Sequence, residues 1–162
     1  MHRSASSSAA GLRRSITEAV EAALSQDADR FAEAADRLAV QDPQRLSLVQ
    51  AWVLRCLLEQ LHPEGLSSED AQDVLRRCLL SVASWLPQTD PDVLVLVLTG
   101  ALGLSDPESD AGNTHAAAGP AALAAGAALL IADLLSVAGG PLTGYLDAAL
   151  AELERAETIE LP

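Results

Sequence analysis

The sequence predicts an all-α protein, a compact bundle of six or seven helices around an Ala- and Leu-rich core. Three observations lead there. Hydrophobic residues fill 49% of the 162 positions, yet Phe31, Trp52, Trp85 and Tyr145 are the only aromatics, so Ala, Leu and Val carry the apolar content. Ala and Leu are strong helix formers, while aromatic and β-branched residues, which favour strands, are sparse apart from the valines. Apolar residues recur every three or four positions in several segments, and clusters of Pro, Gly and Asp separate those segments. The length suits one domain that can bury a core without disulfides or a structural metal.

The expected organisation is an N-terminal tail over residues 1–14, a single helical domain over 15–158 and a short C-terminal tail over 159–162. His2, Arg3, Arg13 and Arg14 lie among Ser and Ala with no acidic residue before Glu18. The stretch Ala9-Ala10-Gly11-Leu12 is too short for the apolar region of a secretory signal. Arg13-Arg14 leads into Ser15-Ile16-Thr17-Glu18 rather than a hydrophobic run, so a twin-arginine signal is not expected either. A disordered tail is the reading that remains.

Ser15-Ile16-Thr17-Glu18 has the form of a capping box and predicts a first helix starting there, with Ile16, Val20 and Ala23 or Leu24 as a narrow stripe. A second helix, about Asp27 to Val40, carries Phe31, Ala34, Ala35 and Leu38 on one face. Asp42-Pro43 and Asp90-Pro91 each place an N-cap acid before a proline at the first helical position, where the missing N–H costs nothing. The third helix then runs to His62, stopped by Pro63 and Gly65, with Leu46, Val49, Val53, Leu57 and Leu61 as its core stripe. Trp52 and Cys56 widen that stripe. A fourth helix opens at Ser67-Ser68-Glu69-Asp70 and buries Ala71, Val74, Leu75, Cys78, Val82 and Trp85.

The fifth helix, Pro91 to about Leu104, is apolar on every side after Asp92, which predicts a place at the centre of the bundle. Ser105 to Gly119 breaks the periodicity and reads as a loop. The sixth helix, Pro120 to about Ala138, sets Ala122 and Gly126 four apart, small enough for a close helix contact. After Gly139-Gly140-Pro141, a last helix lines up Leu142, Tyr145, Leu146, Ala149, Leu150 and Leu153. Val53–Leu58 and Val74–Leu80 echo one another, as do the two Asp-Pro helices. A helical solenoid needs three or more copies, so a bundle is preferred.

Neither uncharged stretch predicts a membrane span. Ala116 to Ala132 is mostly Ala and Gly with Pro120 inside it and Asp133 next, and Val93 to Ser105 would reach only about 20 Å of a roughly 30 Å hydrocarbon core. Both read as buried helices.

Little in the sequence points to chemistry. Glu59-Gln60-Leu61-His62 matches the Glu-x-x-His element of carboxylate-bridged di-iron bundles, but the second copy such a site requires is missing. Asp106, Glu108 and Asp110 alternate as in the first half of a calcium loop, with His115 nearby, yet Ala111 stands where the turn needs glycine and Ala117 where a bidentate Glu belongs. Metal binding is therefore not expected, and Glu59, His62, Asp106, Glu108, Asp110 and His115 are only weak candidates. No P-loop, nucleophile elbow or dinucleotide fingerprint occurs, no catalytic residue is assigned, and no cofactor is expected. Cys56 and Cys78 read as reduced core thiols. Asp133 reads as facing solvent on the polar stripe of its helix, the alternative being a buried carboxylate with a partner or a cavity.

A formal charge of -13 argues against nucleic acid or an anionic membrane as partner. Three widely apolar helices in so short a chain leave apolar surface to cover. The expectation is thus a non-enzymatic, cytoplasmic interaction module that forms a homodimer or meets a protein partner. The alternative is a bundle that binds a small apolar ligand in a cavity between the third and fourth helices, lined by Trp52, Cys56, Cys78 and Trp85.

Overall fold

The computed structural model describes residues 2–103 and 119–160. Among these, seven helices and no strand are present: α1 (His2–Leu24), α2 (Ala28–Ala39), α3 (Pro43–Leu61), α4 (Ser68–Ala83), α5 (Pro91–Ala101), α6 (Pro120–Ala138) and α7 (Leu142–Glu160). The chain is a compact all-α bundle. Expectations for Ser105–His115, including Asp106, Glu108, Asp110 and His115, lie outside the described residues.

The helix starts follow local chemistry. Asp42 caps α3 by accepting from the backbone N–H of Gln44 and Arg45, with Pro43 in the first turn. Asp90 caps α5 the same way through Asp92 N–H, with Pro91 beside it. Ser67 and Asp70 form a full capping box on α4, each side chain accepting from the other's backbone N–H at 3.1 and 3.0 Å. Gly139 ends α6 in the left-handed conformation at φ 78°, where a Cβ would be strained.

The N-terminal helix differs from expectation. It starts at His2 rather than at Ser15, and Leu12 is fully buried. The physical reason is that Leu12, Ile16 and Val20 stand four apart on one face, so the core extends the helix backwards past the apparent cap. Ser15 is then buried mid-helix, and its Oγ accepts from Gln41 Nε2 at 3.2 Å instead of capping. At the other end of the described residues α7 runs to Glu160, into the span expected as a tail.

The centre of the bundle belongs to α6, not to α5. The former packs against α1, α2, α3, α4 and α5, and every residue from Gly126 to Leu135 is buried. The latter leaves Val95 41% exposed and touches mainly α6 and α3. Length and side-chain size explain the exchange. At about 1.5 Å per residue, the 11 residues of α5 span roughly 16 Å, whereas the 19 of α6 span roughly 28 Å and offer Ala and Gly to several neighbours at once. A Cβ on Gly126 would lie 2.8 Å from Val93 Cγ1, which marks the close α5–α6 approach. Ala122, the other half of the expected small pair, is exposed. Although α6 is also long and apolar enough to cross a membrane by length and composition, 56% of that window is buried inside the bundle.

Candidate functional site

A concave site lies where α3, α5 and α6 meet. It is an open cleft of about 490 Å³. From α3 come Leu46, Ser47, Gln50, Ala51 and Leu54; from α5 Leu96, Val97, Gly100 and Ala101; from α6 Leu123, Ala124 and Ala127. Pro43 and Pro120 stand where the first turns of α3 and α6 reach its rim. Small residues create the space. Ala and Gly on these walls leave open a gap that larger side chains would fill. None of the described lining residues is ionisable.

Whereas Gln44 and Ser47 are exposed, Gln50 is the buried polar residue of this wall. Only 3% of the residue is exposed, and its Nε2 donates to the Ala124 carbonyl of α6 at 3.0 Å. Because a carbonyl only accepts, that contact fixes which end of the amide points where. Oε1 takes no hydrogen bond from the described residues. The reading of the sequence missed Gln50, and it also missed the burial of Leu54 and Leu58. A signal was available: Leu46, Gln50, Leu54 and Leu58 repeat at four-residue spacing, a second buried stripe beside Val49, Val53 and Leu57.

The four residues expected to line one cavity do not meet. Cys78 and Trp85 share a small cleft of about 160 Å³ with Asp133, Ser81 and Ser136. Cys56 instead borders a shallow groove against Gly140, which precedes α7, and Gly144 and Tyr145 on α7. Trp52 is half-buried, lies under the Arg55 guanidinium at 5.6 Å and leaves its buried Nε1 without a partner among the described residues. The reason is topological: α3 packs on α5, α6 and α7, while α4 packs on α6 and α5, so the central helix separates the two proposed walls. Trp85 instead meets Phe31 of α2 edge to face, 5.6 Å between centroids.

Asp133 also departs from expectation. Its carboxylate is 6% exposed, not solvent-facing, and Oδ2 accepts from Arg77 Nε and Nη2 at 3.0 and 2.9 Å. An apolar helix carries this acid because α4 supplies the counter-charge. Burial first, and then the Asp133 charge, push the Cys78 thiol up to about 12; Arg77 offsets part of this. Burial and Glu59 likewise raise Cys56. Neither thiol is disulfide-bonded, and a nucleophilic cysteine would need its pKa moved the other way.

Glu59 and His62 do not converge on a common point. Glu59 is exposed, whereas His62 caps the end of α3 with its Nδ1 3.7 Å from Asp70 Oδ2 at the start of α4. Among the described residues, no three of His, Cys, Asp and Glu come together in a metal-holding group. No family model, curated protein or solved structure matches this chain.

Proposed function

We propose that this chain is a non-catalytic binding module whose working surface is the apolar cleft between α3, α5 and α6, and that its ligand is a small apolar molecule. The observation that carries this reading is the cleft itself. Its volume of about 490 Å³ falls in the range of small-molecule sites, roughly 300–1,000 Å³, and its walls combine apolar side chains with one fixed polar group. None of the described lining residues is ionisable, and this favours binding over acid–base chemistry. Nile red, a neutral apolar dye, tests the reading. Wild type should bind it with enhanced fluorescence, and Ala51→Phe, which fills the cleft from a half-buried position, should lose that binding. Equal binding by both proteins overturns it.

A second reading, self-association, is favoured by a different observation. The outer face of α4 presents Leu75, Leu79 and the 70% exposed Leu80 beside one another. Contiguous apolar surface of this kind marks interfaces. Native mass spectrometry of wild type and Leu80→Asp tests it: a dimer that the substitution converts to monomer supports the reading, and a strict monomer at high concentration removes it.

A further inference from the structure

We infer that the cleft selects a neutral, mostly apolar molecule carrying a hydrogen-bond donor, such as an aliphatic alcohol, and that Gln50 Oε1 is the group that reads the donor. The inference rests on the cleft being a binding site and adds the class of its ligand. Gln50 is 97% withdrawn from solvent, and its amide cannot swing freely, because Nε2 is held by the Ala124 carbonyl at 3.0 Å. The opposite end of the same planar amide is therefore positioned as an acceptor. Oε1 receives no hydrogen bond from the described residues, although the residue lines the cleft. An apolar occupant without a donor would strip the residual water from this oxygen and leave it unpaired, a penalty that an O–H or N–H donor avoids.

Charge narrows the class further. A carboxylate head would bring a negative group into a cleft whose described lining holds no cation, on a protein of net charge -13. An ammonium head would be stripped of water with no carboxylate in the described lining to receive it. A hydroxyl carries no such cost. The remaining wall, Leu46, Leu54, Val97 and Leu123 among its larger members, suits a hydrocarbon body.

Calorimetric titration with four ligands of one shape tests this: decanol, its methyl ether, decanoate and decylamine. Decanol should bind roughly tenfold or more tightly than the ether, because a site built to accept from a donor rejects the analogue that lacks it. Decanoate and decylamine should bind more weakly than decanol. Gln50→Leu should keep ether binding while the preference for the alcohol falls to near parity. Should that variant fail to fold, Gln50→Glu, which puts a carboxylate in the cleft, should shift preference from decanol toward decylamine. Equal binding of alcohol and ether by wild type, or tightest binding of decanoate, overturns the role of Gln50 and leaves the cleft as an unselective apolar site. Failure of all four to bind overturns the binding reading itself.

Discussion

Arg77 on α4 grips the buried carboxylate of Asp133 on α6 through two nitrogens, at 3.0 and 2.9 Å to the same oxygen. The two residues are 56 positions apart, and their pairing lets an otherwise apolar helix occupy the centre of the bundle.

Removing one partner should cost much more than removing both. Arg77→Leu strands a buried carboxylate, a loss of about 3–5 kcal/mol where a pair is fully enclosed. Arg77 is 43% exposed, so water screens part of the charge and about 2–3 kcal/mol is expected. The double variant Arg77→Leu/Asp133→Leu should recover most of this. Urea unfolding of the two single variants and the double variant completes the cycle; additive losses would mean that the pair is not coupled.

Gly126→Ala sets two effects against each other. Helix propensity favours alanine by about 1 kcal/mol, while overpacking costs about 1–3 kcal/mol. The new Cβ would meet Val93 Cγ1 at 2.8 Å, and a β-branched side chain cannot rotate away cheaply. Net destabilisation by about 1 kcal/mol is expected, and Val93→Ala in the same chain should relieve the clash. A thermal melt showing stabilisation by Gly126→Ala alone would mean that α5 yields at this contact.

The capping box of α4 predicts a pH dependence. Hydrogen bonds from the backbone and side chain of Ser67 hold the Asp70 carboxyl below its ordinary value. The stability this contributes is present above the ordinary carboxylate range and is lost as pH falls through the lowered folded value. Ser67→Ala should cost about 1 kcal/mol at neutral pH, and the gap to wild type should narrow in acid. A gap that stays constant from neutral pH into acid would separate Asp70 from the effect.

The two thiols should react unequally with Ellman's reagent. Cys78 is fully buried and its thiol is pushed up to about 12, so it should be silent in the folded protein. Cys56 is half-buried and should react slowly, and both should titrate in denaturant. The stability linked to Cys78 is intact below the ordinary thiol value and is lost as pH rises toward about 12. Rapid modification of two thiols in the native protein would show that α4 opens.

Much of the architecture is legible in short stretches of sequence. Asp42-Pro43 and Asp90-Pro91 start helices because an acid accepting from free N–H groups and a proline with preset φ act within one turn. The stripe Leu146, Ala149, Leu150 and Leu153 is buried as its spacing predicts. The same local logic misplaces the start of α1, because the pull of Leu12 into the core overrides the capping pattern at Ser15.

What the sequence determined by itself is the set of helices and the amphipathic faces of most of them, since caps, breakers and periodicity act over a few residues. The tertiary structure decided which apolar helix became the centre, that Asp133 would find Arg77, that Trp52 and Cys56 would be parted from Cys78 and Trp85, and that Gln50 would lie buried against Ala124, 74 positions away. Each of these depends on which surfaces meet. Hydrophobic attraction has no direction, so periodicity marks a face for burial without naming the helix that will cover it.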